Sequence, residues 1–139
     1  MNASTAIFWP IIAHVAMVFA IYRLLFARRV QAVKAGTASP TAFRENRQEP
    51  IESVVIRNSL QNQFESPTLF YVVCLSLFVT GHATLYPVLL AWGWVMARLI
   101  HAYIHITTNR IRHRLPAFVA GAAILALMWL WLAVKLVTG

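Results

Sequence analysis

Two groups of polar side chains interrupt runs of apolar sequence in this chain, and any chemistry must be sought there. The first is the stretch Arg57, Asn58, Ser59, Leu60, Gln61, Asn62, Gln63, Phe64, Glu65, Ser66, Pro67. Read as helix, Asn58, Gln61, Asn62 and Glu65 fall at i, i+3, i+4 and i+7 and share one face. Glu65 then lies roughly 12 Å beyond Arg57, and a carboxylate at that depth in hydrocarbon costs several kcal/mol unless it is paired or hydrated. The second group is Arg98, His101, His105 and Arg112, spaced by three, four and seven residues. These share a face if one helix carries all four. Glu65 placed opposite Arg98 and His101 would relieve the burial cost of all three.

A structural ion pair between two helices is the plainest reading of this arrangement. The charge count asks for more. Arg57, Arg98, Arg110, Arg112 and Arg114 exceed what one carboxylate can neutralise, and an Arg-rich cavity calls for an anion from outside. A lipid headgroup or a peptide with free carboxylates would serve. Other chemistries find less support. His101 and His105 could form two ligands of a metal site, but nothing close in sequence completes a set, so no metal is expected. There is no Asp, no Ser-His-Asp set and no Gly-rich phosphate loop.

The elements that must hold these residues follow from composition and punctuation. Of 139 residues, 60% are hydrophobic and 12% charged, about half the usual charged fraction. That excludes a soluble globule and fits an integral membrane protein of one domain, residues 1–139. The 12 Lys and Arg mostly flank apolar runs, which argues for membrane topology rather than nucleic acid. Cys74 lies alone within an apolar run and reads as packing. Four spans are expected, at about 5–27, 58–80, 87–110 and 117–137. The uncharged start, Met1 to Thr5, has no cleavage site after it and does not read as a cleavable signal.

Punctuation refines the bounds. Gly36, Ser39 and Pro40 break the polar segment between the first two helices. Pro50 suits the first turn of the second helix, expected to run unbroken to about Thr80. Gly81 and His82 make a short turn. The third helix is expected to reach about Arg112, with Arg112, His113 and Arg114 as a basic turn and Pro116 opening the fourth. Buried His14 reads as a packed, hydrogen-bonded histidine. Arg28, Arg29, Lys34, Arg44, Arg47, Arg57, Arg110, Arg112 and Arg114 fall on one side, and only Lys135 on the other. The basic connections are therefore expected in the cytoplasm and both termini outside, in an all-α, up-down four-helix bundle.

With these features in view, most of the chain resembles the MAPEG superfamily, the membrane-associated proteins in eicosanoid and glutathione metabolism. The resemblance rests on four spans, a short outer turn and basic cytoplasmic connections. It rests also on Arg57, Asn62, Glu65 and Pro67 in the second span and on Arg98, His101, His105 and a terminal Arg in the third. Two departures stand out: in strict register Asn58 replaces the family's Arg, and His105 replaces its usual Tyr. The resemblance implies a homotrimer in a membrane, the bacterial inner membrane for this branch. It implies glutathione as cosubstrate, bound by Arg57, Asn58, Asn62, Glu65, Arg98, His101 and His105, with Arg112 or Arg114 stabilising the thiolate. On an unbroken third helix Arg112 continues the Arg98 stripe and Arg114 lies about 200° round from it, so Arg112 is the favoured of the two. The function implied is a glutathione-dependent transferase or peroxidase acting on lipophilic electrophiles. The alternative is a non-catalytic membrane subunit or lipid-binding protein of a larger complex.

Overall fold

A computed structural model describes residues 4–45 and 49–139; Met1 and Arg47, both used above, lie outside that set. Among the described residues all regular structure is helical. A 3-10 turn, Thr5–Ile7, leads into α1 (Phe8–Lys34), followed by α2 (Pro40–Glu45), α3 (Ile51–Gln61), α4 (Ser66–Val79), α5 (Leu85–Ile106) and α6 (Ile111–Thr138). The first turn with α1, then α5 and α6, are long and apolar enough to cross a membrane. Even α5, the shortest of the three, is about 33 Å long at 1.5 Å per residue, against about 30 Å of hydrocarbon.

Two apolar clusters hold the helices together. Phe70, Val73 and Leu77 of α4 pack with Ala91, Trp94 and Val95 of α5 and Leu125, Met128 and Leu132 of α6. Phe70 and Trp94 stack with ring centroids 3.9 Å apart. The second cluster joins Met17, Ile21 and Leu25 of α1 to Ile56 and Leu60 of α3 and Ala102 of α5. The i, i+4 spacing of the α1 residues is the stripe a helix buries. Small residues bring α5 and α6 close: a Cβ at Gly121 would stand 3.6 Å from that of Ala97. Close backbone approach of this kind supplies packing where water does not drive helices together.

Glycine ends α1 and α4 as the sequence leads one to expect. Gly36 (φ 70°) and Gly81 (φ 77°) occupy the left-handed region. The next residues donate back across the helix end, Thr37 N to Ala32 O and His82 N to Leu77 O, the Schellman closure. Elsewhere the expected bounds need correction. The second helix is not continuous through 58–80; it stops at Gln61 and restarts at Ser66. Pro67 explains this: it has no N–H to donate and its ring would strike the Gln63 carbonyl in an unbroken helix. The third long helix ends at Ile106, not near Arg112, because Asn109 turns the chain at φ 48° and donates to Ile104 O. Arg112, His113 and Arg114 consequently belong to the first turns of α6, with Pro116 inside that helix rather than at its start.

Candidate functional site

The break between α3 and α4 is the centre of the buried polar structure. Its carbonyls are met one by one. Asn62 Nδ2 donates to Asn58 O (3.1 Å), Gln63 Nε2 to Ser59 O (3.0 Å), and Thr68 Oγ1 to Phe64 O (3.0 Å). The Asn62 carbonyl, released by the break, accepts from Arg98 Nη2 at 2.7 Å. The same nitrogen donates to Gln63 Oε1 at 2.9 Å. Helix ends buried against other helices must satisfy such groups internally, and Arg98 of α5 does so here.

The network continues into α1. Gln63 Oε1 also lies 3.3 Å from His14 Nε2, and His14 Nδ1 lies 2.6 Å from the Tyr71 hydroxyl. Because Gln63 Nε2 is used on Ser59 O, its oxygen is the acceptor, which assigns the His14 proton to Nε2. Tyr71 then donates to Nδ1. His14 is thus packed and hydrogen-bonded, as its place in an apolar run implied. Tyr71, Gln63 and Arg98 join α4, the elbow and α5 to α1 through it. Trp94 closes the floor, its ring centroid 5.0 Å from that of His14 and 5.9 Å from the Arg98 guanidinium carbon.

Arg98, His101 and His105 form the expected stripe on α5 and are 2%, 3% and 4% exposed. The two imidazole centroids are 5.9 Å apart, and His101 stands 5.9 Å from the Phe118 ring. Arg98 Nε, His101 Nδ1 and His105 Nδ1 are buried without a partner among the described residues. Buried polar atoms left so are uncommon and ask for an explanation. Beside Arg98 a cavity of about 310 Å³ opens between α4, α5 and α6, lined by Ser66, Trp94, Arg98, Phe118, Gly121 and Trp129 among others. The Trp129 indole nitrogen is likewise buried without a partner.

The expected pairing of Glu65 with Arg98 does not form. The ion pairs among the described residues are Arg29–Glu49 (2.9 Å) and Arg57–Glu49 (2.8 Å). With the helix broken before it, Glu65 is exposed, as are Asn58 and Gln61, while Asn62 is half-buried. Three of the four residues on the face read from the spacing thus lie open, and the buried polar side chains of α3 and the break are Ser53, Ser59 and Gln63 instead. Arg57 is turned to Glu49, which also accepts from Ser53 and Arg29. Burial alone would raise the Glu49 carboxyl, but the Ser53 and Arg29 hydrogen bonds and the charges of Arg29 and Arg57 outweigh it and hold it below the ordinary value.

The two candidate thiolate-stabilising arginines separate once α6 is in place. Arg114 is half-buried and donates from Nη1 to Asn109 Oδ1 at 2.8 Å. Arg112 is exposed and no longer continues the stripe of Arg98 and His105. Both stand, with His113, at the start of a helix that has no acidic residue in its first turn. Cations at the positive end of the helix dipole are unfavourable by about 0.3–1 kcal/mol each, and an anion nearby would offset this. Sequence reading missed Gln63, His14's link to Tyr71, Ser59 and Glu49. Pro67 was the available signal for the first, since it dictates the break that turns Gln63 inward.

Neither the curated proteins nor the solved structures offer a match to this chain. The family model does: three apolar helices and a basic polar stripe buried on α5 coincide with a match to the MAPEG family over residues 6–134, and the chain is an integral membrane protein belonging to that family.

Proposed function

We propose that the protein is a glutathione-dependent transferase or peroxidase acting on lipophilic electrophiles, working as a homotrimer in the bacterial inner membrane. One observation carries the reading: Arg98, His101 and His105 are buried on one membrane-spanning helix with nitrogen atoms left unpartnered. Membership of a family tied to glutathione and eicosanoid metabolism supports it. A tripeptide with two carboxylates fits a site made of cations and hydrogen-bond donors. In this account α3 and α4 together make the fourth crossing of an up-down bundle, with the basic connections in the cytoplasm. The exposed Asn58, Gln61 and Glu65, with half-buried Asn62, then face a neighbouring subunit, because an uncovered carboxylate within hydrocarbon is costly. Arg57, Asn58, Asn62, Glu65, Arg98, His101 and His105 hold the peptide between subunits.

Glutathione supplies the nucleophilic sulfur, so the chain needs none of its own, and Cys74 is buried in the core. Arg114 takes the thiolate-stabilising role in preference to Arg112, being half-buried where Arg112 is exposed. A guanidinium close to a thiol favours the charged form and lowers its pKa from about 8.5. The apolar cavity beside Arg98 admits the electrophile from the bilayer. The test is loss of glutathione thiol with a hydrophobic electrophile, using the purified protein in bilayer nanodiscs. Turnover that disappears in Arg98→Leu supports the reading. No protein-dependent turnover with any lipophilic epoxide, halide or hydroperoxide tried, together with co-purification of a fixed partner, supports the non-catalytic alternative.

A further inference from the structure

A second cavity, remote from the α5 stripe, lies where the chain leaves the membrane. It measures about 390 Å³ and is lined by Phe26, Arg29, Val30, Val33 and Lys34 of α1 with Pro40 and Phe43 of α2. Phe26, Val30 and Val33 fall at i, i+4 and i+7, so α1 gives it one apolar wall. Phe26 is 71% exposed although it lies at the edge of a span. The depth is set by geometry. About 20 residues cross the hydrocarbon, which counted from Phe8 reaches Arg28. The remaining turns of α1, to Lys34, extend roughly 9 Å further, through the headgroup layer. Phe26 therefore stands where acyl chains begin, and Arg29, Val30, Val33 and Lys34 lie beyond it, apolar and cationic side chains interleaved through the headgroup layer.

The cations at this depth are held for use. Arg29 donates from Nε (3.1 Å) and Nη2 (2.9 Å) to one oxygen of Glu49. Its guanidinium carbon sits 5.1 Å from the centroid of the Phe43 ring. The plane is fixed on one edge and one face, and Nη1 has no hydrogen bond among the described residues. Glu49 is shared between Arg29 and Arg57, so these three side chains sum to one positive charge. Arg28, Lys34 and Arg44 add three, and Glu45, next to Arg44 in sequence, takes one away. An apolar wall that begins at Phe26 and runs between two cations matches one chemistry: a lipid with a charged phosphate and an adjoining acyl chain.

We propose that this cavity binds an anionic phospholipid, with its phosphate at Arg29 and Lys34 and the start of one acyl chain along Phe26, Val30 and Val33. The site clamps α2 against α1 when occupied, and it is independent of the glutathione site. It predicts selection by headgroup and by shape together. The full-length protein in mild detergent is titrated with phosphatidylglycerol and, separately, with phosphatidylcholine of the same chains, and bound lipid is counted by native mass spectrometry. Phosphatidylglycerol should bind at least about tenfold more tightly, since a fixed cation pair discriminates by charge. Lys34→Gln should lower that preference several-fold. Val33→Trp, which fills the cavity without changing charge, should abolish it; if that variant does not fold, Phe43→Ala, which removes one wall, should weaken it in its place. Equal binding of the two lipids by the wild type overturns the proposal. So does a preference that survives both Val33→Trp and Phe43→Ala, which would mean diffuse attraction to a basic surface. Displacement of the lipid by millimolar inorganic phosphate would equally overturn it, marking a simple anion site with no use for the apolar wall.

Discussion

Gln63 accepts from Arg98 and from His14 through one oxygen and donates to Ser59 O through its nitrogen. A leucine there would take one acceptor each from a buried guanidinium and a buried imidazole, leaving them Asn62 O and Tyr71. Gln63→Leu should cost about 1–3 kcal/mol, the penalty for unmade buried hydrogen bonds, read as a lower thermal midpoint in detergent. Gln63→Glu keeps the acceptor and adds charge attraction to Arg98, and should lose less. Equal midpoints for Gln63→Leu and the wild type would remove the network from the account. That Arg98, His101 and His105 would be buried was legible from charges spaced by three and four within an apolar run. That Gln63 rather than Glu65 would meet Arg98 was not, because two residues differ by about 200° round a helix. Any interruption between them reassigns which one faces inward.

At the scale of helices, the α3–α4 elbow follows from Pro67 and the α5–α6 turn from Asn109, and each displaced a site assignment made from spacing alone. A continuous periodicity across Asn62 or across Arg110 was the wrong extrapolation: local breakers override it. Hydropathy located the three long apolar helices, α1, α5 and α6, while the stretch expected as one span over 58–80 is divided between α3 and α4. Close packing of α5 on α6 gives a graded test. Gly121→Ala places its Cβ 3.6 Å from that of Ala97, an ordinary contact, and should change stability by no more than about 0.5 kcal/mol. Gly121→Leu overfills the same contact and the cavity beside Arg98, and should cost about 1–3 kcal/mol. A Gly121→Leu protein as stable as the wild type would show that the two helices are not so close. The Glu49 clamp ties α1 to α3, and its carboxyl is held below the ordinary value. A lowered pKa stabilises the fold above the unfolded value, about 4.3, and that contribution is lost as pH falls through the folded value. The protection factors of the Ser53 and Val54 amides, that is, their exchange relative to the intrinsic rate at each pH, should therefore be unchanged between pH 7 and 5 and should fall only on further acidification. Protection already lost between pH 7 and 5 would mean that some other group carries the clamp.

For the whole molecule, the apolar composition already indicated an integral membrane protein, and the three long apolar helices and the family match agree with it. What a single chain leaves exposed is as informative: Glu65, Asn58 and Gln61 lie open on a segment flanked by apolar helices, and a homotrimer would cover them. Native mass spectrometry should find three copies, and Glu65→Leu should weaken the assembly; a stable monomer in mild detergent would contradict this. Buried Cys74 leaves a clean background for topology. A cysteine at Ser39 should resist an impermeant reagent in intact cells, and one at Thr138 should react; the reverse pattern would invert the orientation. The central claim is that the basic end of α5 and α6 holds glutathione as its thiolate, with Arg114 as the activating group. Its most direct measurement is the thiolate absorbance of glutathione bound to the purified protein as a function of pH. The account predicts a thiolate signal at pH 7 in the wild type and in Arg112→Leu, and its loss in Arg114→Leu with glutathione still bound. No protein-dependent thiolate signal at any pH below about 8.5, the value for a free thiol, would contradict it.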